Sequence, residues 1–478
     1  MEKAKILRAL LVFSLALFLL IPTARAEERF RVTFEELSKH KGFFDDPRPF
    51  LNELSYKKIL PPNVYSKSTF DVGTMKALWA ELIGFKAPDV VGKIAPEIQP
   101  GTYTYKDKEK YPGFKELMYL DLYNRFKPGE PPHIGNFPEI KVVPTRQYYW
   151  ALPIAEATKK NIGFTKQDEN GYLLYSSYIA GYPFPMPSGK FKAQQIIYNW
   201  EKRYFAGENS YRITQMRGFT KNLKMDFDGL SETYSFRLHG RVLTPPYGWF
   251  DDRAKQGGEG KGYLMKFLAP RDSYGTVVSN LVYLDPNHFD QFMIYVNVLR
   301  RIRKMSATDT QDPVGGQDMI YEDVDGFQQK LSPTRYPYKF ELIGEREYLV
   351  PSPILDGSGY LSSKGIEFRN YEFERRPLYV IKLTQLDKNY LYGQRILYID
   401  KETFLLYHIE NYDQKGRLYR SCDLYCQFVP EAGVFHGYHL LSRDYLDLHS
   451  SLGNIFETPT PWLTREETSL QGLVTKGK

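Results

Sequence analysis

Cysteine is nearly absent from this 478-residue chain, with Cys422 and Cys426 the only two. That excludes a disulfide-dense scaffold and a multi-cysteine zinc module. On an extended strand these residues lie about 13 Å apart, beyond bridging reach, so a bond needs a bulge or turn at Asp423-Leu424. Export to an oxidising compartment would favour pairing. Cys422–Cys426 is therefore a candidate disulfide, with two free thiols as the alternative. Histidine is scarce too, at eight residues. None falls in a His-Glu-x-x-His motif, and His436 and His439 point to opposite faces of a strand. The nearest approach to a nucleophile elbow, Gly357-Ser358-Gly359, lacks the required spacing. Gly257–Gly262 lies between strands and reads as a flexible loop with no helix to cradle phosphate. The neighbouring carboxylates Asp251/Asp252 and Glu322/Asp323 carry no information about the separation a glycosidase needs. Neither an enzyme nor a cofactor is expected.

Long apolar runs are missing after Ile21, so no later helix is expected to span a bilayer. Lys3, Lys5 and Arg8, the run Ala9–Ile21 and Ala24-Arg25-Ala26 read as a secretory signal peptide over residues 1–26. Without those residues, which hold four Lys/Arg and one Glu, the net charge drops from +7 to +4. That small, dispersed excess argues against nucleic acid as a partner.

Aromatics are abundant, with 38 Tyr and 31 Phe, and β-branched and aromatic runs follow one another from Tyr211 to Leu446. Turn signals such as Asp285-Pro286-Asn287 and Asp413-Gln414-Lys415-Gly416 separate them. Consecutive hairpins of this kind predict one wide antiparallel sheet, which twist curls into an open half-barrel. The fold class is thus mainly β (α+β), a large curved antiparallel sheet with covering helices and a helix/loop N-terminal extension. Apolar spacing predicts helices over 69–85, 113–126 and 192–204. The divisions expected are a signal peptide at 1–26, an irregular helical region at 27–150, the half-barrel at 151–465 and a flexible tail at 466–478. Strands are expected at Thr220–Phe227 and Tyr360–Tyr371 among others, with Gln317–Gly326 an acidic, helical or irregular link.

Three groups of residues carry a family resemblance. They are Lys266–Ala269 with Pro270, Gly275 and Thr276; Ile294–Arg303; and Gly316, Asp318, Tyr321, Glu322 and Asp323. Gly181–Pro185 and Ile196–Trp200 add to it. Together they resemble the LolA/LolB-type lipoprotein-carrier superfamily, and within it a periplasmic family of unknown function. The resemblance implies a periplasmic, non-catalytic carrier of a lipid, lipoprotein acyl chain or other hydrophobic cargo, working with a membrane transporter or outer-membrane component. An envelope adaptor or stress sensor that grips a membrane-protein segment is the alternative. An outer-membrane barrel is disfavoured by the helical N-terminal region and the absence of lipid-facing strands. The candidate ligand contacts are Phe184, Trp200, Phe236, Leu238, Phe267, Ile294, Val296, Arg300 and Arg303. The basic cluster Arg300, Arg301, Arg303 and Lys304 is also expected to pair with Asp318, Glu322, Asp323 and Asp325.

Overall fold

The computed structural model describes residues 37–43, 56–305, 311–314, 317–355, 358–362, 366–460, 464–465 and 469–477. The signal peptide expected at 1–26 lies outside them. Fifteen strands form one sheet. They are β1 (Gly101–Thr104), β2 (Glu139–Val142), β3 (Asn209–Phe219), β4 (Met225–Arg237), β5 (Glu259–Ala269), β6 (Val277–Tyr283), β7 (Gln291–Val296), β8 (Arg301–Lys304), β9 (Tyr338–Pro351), β10 (Glu372–Gln385), β11 (Gln394–Asp400), β12 (Leu406–Tyr412), β13 (Leu418–Val429), β14 (Val434–Asp444) and β15 (His449–Pro459).

Neighbouring strands run β1-β2-β10-β11-β12-β13-β14-β15-β3-β4-β5-β6-β7-β8, and β9 pairs with β10 along its other edge. All pairings are antiparallel except the short β2–β10 contact. Among the described residues β8 and β9 do not meet, so the sheet stays open: a half-barrel, as hairpin order predicts. Two of its strands, β1 and β2, come from before residue 150.

The strand that closes the middle of the sheet has no strong sequence signal. β15 begins His-Ser-Ser-Leu-Gly-Asn, too polar and small to read as a strand. Yet it pairs with β14 on one side and β3 on the other, joining the C-terminal hairpins to the earlier ones. Partner strands supply what side-chain propensity does not. Elsewhere the strand expected at Thr220–Phe227 is a hairpin turn as far as residue 224, with Leu223 at φ +61°, and only Met225–Phe227 belong to β4. The described residues of 360–371 form a two-residue ladder, Tyr360–Leu361 against Phe368–Arg369, and a single bridge from Glu367 to Asn136.

Both faces of β10–β14 are covered. On the inner face lie α1 (Val72–Ile83), α3 (Leu152–Asn161) and α4 (Lys192–Glu201), with α2 (Leu120–Arg125) on the outer face. Asp71 caps α1 by accepting the Thr74 N–H at 2.7 Å, and Gly84, at φ +84°, ends it. The helix buries Met75, Trp79, Leu82 and Ile83, and Trp79 Nε1 donates to the Glu402 carbonyl at 2.8 Å. Trp150, Tyr182, Ile196, Trp200 and Phe327 join these residues over Ile381, Leu397, Ile409 and Phe435, an apolar core that fills this half of the trough.

The helix predicted over 113–126 breaks in two, Phe114–Leu117 and α2, because Met118 and Tyr119 are extended. That break stacks Tyr119 on His408, with ring centroids 4.2 Å apart, and brings its hydroxyl to Asp423 at 2.9 Å. Gly257–Gly262 is no flexible loop. A helix over Asp252–Gly257, capped by Asp251, ends on Gly258 at φ +63°, and β5 starts at Glu259. The expected flexible tail includes α5 (Leu470–Gly477), whose Val474 packs against Leu264, Val277 and Tyr295.

Candidate functional site: a two-lobed hollow over β3, β4 and β5

Past β15 the filling of the inner face thins out. The cause is legible in β4, whose alternate residues Gly229, Ser231, Thr233 and Ser235 all point inward and are all small. Register places Met216 opposite Gly229, Thr214 opposite Ser231 and Arg212 opposite Thr233. On the other flank Phe267 faces Ser231, Met265 faces Thr233 and Tyr263 faces Ser235. A row of small side chains between flanking rows that are larger, Thr214 apart, leaves a furrow along the central strand.

The segment 317–328 roofs that furrow and is fixed by polar contacts. Ser451 Oγ donates to Gln317 Oε1 at 2.9 Å, and Asp318 pairs with His449. Asp323 accepts from Arg395 Nη1 at 2.9 Å, and Asp325 from Arg212 Nη1 at 3.0 Å. Asp325 and Gly326 both take positive φ, where the chain turns against the sheet. A Cβ on Gly326 would lie 2.8 Å from the Leu406 side chain.

Two cavities result, and both open onto solvent. The apolar lobe, about 150 Å³, is walled chiefly by Met216, Phe227, Met265, Phe267, Met319 and Ile455. The polar lobe, about 170 Å³, lies over the opposite ends of the same strands, beside the C-terminal end of α4. Arg212, Ser235, Tyr263, Asp325 and Gln328 wall both, so the lobes are adjoining parts of one hollow.

The nine residues singled out from sequence scatter around this hollow. Phe267 lines the apolar lobe and Phe236 the polar one. Leu238 is buried beside Phe236 in a small cluster with Ala254 and Leu281. Trp200 is buried in the filled half, its indole N–H donating to the Phe327 carbonyl at 2.8 Å, and Phe184 packs half-buried near Tyr198. Ile294 and Val296 are half-buried on β7, on the face opposite Tyr295, outside both lobes. Arg300 and Arg303 are exposed at the β8 edge.

The expected pairing of the Arg300–Lys304 cluster with the acidic segment is not what forms. Asp318, Glu322, Asp323 and Asp325 turn to His449, Arg395 and Arg212 instead. Arg395 is fully buried and Arg212 nearly so, and burying their charge requires a carboxylate close by, which exposed arginines on the last strand do not. Cys422 and Cys426 are two free thiols, both buried in the inner core on one strand. The bulge at Tyr425/Cys426 does not bring them together as a bond.

Among the described residues one trio, Asp121, His408 and Asp423, has donor atoms close enough for a metal. Arg125 and Arg443 already occupy these carboxylates, Nη2 of Arg125 at 3.1 Å from Asp423 and Nη2 of Arg443 at 2.7 Å from Asp121. Two guanidinium groups leave a cation little reason to bind. Asp423 in turn holds the buried His408 ring protonated: despite burial, its pKa is raised to about 9. Glu322 and Asp323 are also committed to buried partners, Tyr390 and Arg395. No described helix is long and apolar enough to cross a membrane.

An uncharacterized protein of Pseudomonas aeruginosa is 24% identical over 351 residues, covering 69% of this chain and 73% of the relative. A solved DUF1329 family protein from Desulfovibrio piger is 17% identical with a TM-score of 0.40, covering 56% of this chain and 91% of that one. A LolA superfamily protein from Nitrosomonas europaea is 14% identical with a TM-score of 0.35, over 59% and 98%. Residues 122–454 match the sequence profile of a family described as "Protein of unknown function (DUF1329)", and the chain belongs to that family.

Proposed function

We propose that the protein is a non-catalytic periplasmic carrier that holds a lipid or other hydrophobic molecule with an apolar end in the lobe over β3–β5. The observation that carries this reading is the furrow along Gly229, Ser231, Thr233 and Ser235, an unfilled stretch on a sheet face that is otherwise packed. Apolar burial supplies affinity without directional bonds, at about 0.8 kcal/mol for each buried CH2. The apolar lobe is the size of an engineered cavity that takes benzene, about 150 Å³. It therefore suits the end of a chain, with the remainder running along the hollow or out of its mouth.

The reading extends to the cellular setting: residues 1–26 as a cleaved export signal, and a membrane transporter or outer-membrane component as donor or acceptor. Protein purified without detergent and measured by native mass spectrometry tests the proposal. Co-purified lipid, or uptake of an added alkyl amphiphile displaced by a second one, is the expected result. A chain that stays empty and takes up no amphiphile sinks it.

A second reading, an adaptor that binds a peptide strand, draws on the edges of β8 and β9 that no described strand pairs. An unpaired edge can accept an added strand. The Arg-Ile-Arg-Lys sequence of β8 opposes this there, because charged edges discourage pairing.

A further inference from the structure

The polar lobe has an uncompensated positive charge. Six cations line it, Lys202, Arg203, Arg212, Arg237, Lys261 and Lys330, against four carboxylates, Glu201, Glu208, Asp325 and Glu457. Most of these charges are spoken for. Glu201 pairs with Lys202 at 2.9 Å, and Arg212 takes both Asp325 and Glu457. Lys330 donates to Asp290 at 2.8 Å and to three backbone carbonyls. Glu208 is consumed by the backbone N–H groups of Val242, Leu243 and Thr244.

What is left over is cationic. Among the described residues Lys261 and Arg237 have no carboxylate within ion-pair distance. Arg237 lies on the Tyr204 ring, 3.8 Å from its centroid, and donates to the carbonyls of Lys202 and Arg203. Arg203 lies against the Trp200 ring at 3.7 Å. Its distance to Asp325 is 3.8 Å, and its buried Nε has no hydrogen-bond partner. Half-buried cations without a close counter-charge are costly to desolvate, and an incoming anion relieves that cost. Burial and the neighbouring Arg203 accordingly pull the Lys261 ammonium down to about 8, and burial pulls Arg203 down to about 10.

We infer that the polar lobe receives the anionic head group of an amphiphile, a phosphate or carboxylate held by Lys261 and Arg203, while the apolar tail of the same molecule lies in the adjoining lobe. The inference rests on the carrier reading and narrows its cargo to acidic lipids or acidic alkyl compounds. Tyr263 and Ser235, which wall both lobes, mark the passage from head to tail. Elements facing Lys261 contribute Glu201, Lys202 and Arg203 from α4 and its end, Asp290 from the β6–β7 turn and Asp325 from the roof segment. Burial and the two cations push the ammonium charge down, and the three carboxylates hold it up. An arriving anion therefore strengthens the protonated form of Lys261, and the head group binds with proton uptake near pH 8.

Calorimetric titration of the full-length protein with dodecyl phosphate, dodecyl maltoside and inorganic phosphate tests this. The expected result is dodecyl phosphate bound at least tenfold tighter than the maltoside, with inorganic phosphate weak. Lys261→Met should abolish the difference between the two detergents while maltoside binding persists. Lys261→Gln serves if the methionine variant fails to fold, with circular dichroism as the check. Equal binding of the two detergents by the wild type overturns the head-group inference and leaves the carrier reading standing. Binding of neither detergent overturns the carrier reading itself. Inorganic phosphate binding as tightly as dodecyl phosphate overturns the amphiphile and makes the lobe a free-anion site.

Discussion

Arg395 Nη1 and Asp323 Oδ1 lie 2.9 Å apart, with both side chains almost wholly shielded from water. This pair ties the roof segment to β11, and Asp323 also accepts from the Tyr392 hydroxyl at 2.6 Å. Asp323→Ala strands a buried guanidinium, so it should lower unfolding free energy by about 3–5 kcal/mol in urea titration. The double variant Asp323→Leu with Arg395→Met removes both charges and should recover much of that loss. A single variant within about 1 kcal/mol of wild type would mean that Glu322 or Tyr390 compensates.

Filling the furrow should separate binding from stability. Met265→Trp places a larger ring opposite Thr233, and overpacking there should cost no more than about 1–3 kcal/mol. Binding of a fluorescent hydrophobic probe should drop at least tenfold. Unchanged probe affinity would place the hydrophobic site elsewhere.

His408 makes stability depend on pH with a known sign. Burial pulls its pKa down, but Asp423, Glu410 and Asp121 outweigh burial and raise it from 6.5 to about 9. A group with a raised folded pKa stabilises fully below its unfolded value, and loses that contribution as pH climbs through the folded one. Unfolding free energy should therefore decline between pH 6.5 and about 9 by up to about 1.4 kcal/mol per unit. Guanidine titrations at stepped pH measure it, and His408→Gln should flatten that portion of the curve.

The two thiols should be silent in the native protein. Burial pushes both Cys422 and Cys426 well above the usual thiol range, leaving almost no thiolate. An aromatic disulfide reagent should find no thiol under native conditions and both in denaturant, and reductant should not shift Tm. Failure to label after denaturation would reveal a bond after all.

How far the sequence reaches is clearest in β4 and β15. Aromatic and β-branched runs mark β3, the second half of β4 and the run from Leu264 to Val296, whereas the start of β4 and of β5 at Glu259 carries no such signal. Met75, Trp79 and Leu82 announced α1 by spacing alone. Phe236 and Leu238 drew attention as large apolar residues near the cavity, whereas the hollow is made by their small neighbours Gly229, Ser231 and Thr233. A space is defined by what is missing, and apolar bulk in a sequence marks only the walls around it. His449–Pro459 was missed because its side chains are weak strand formers, and only its two partner strands make it one.

The acidic segment divides the two kinds of information most plainly. Its composition alone called for cationic partners, because Asp318, Glu322, Asp323 and Asp325 cannot be buried unpaired. Nearness along the chain suggested Arg300–Lys304, but the fold chose Arg395 and Arg212, residues about seventy and a hundred and ten positions away. The order of hairpins, the open sheet and the covering helices were written in local pattern: period-two and period-3.6 spacing act over a few residues. Which face stays hollow, which charges meet and whether two cysteines touch depend on contacts between distant segments, and those exist only once the sheet has assembled.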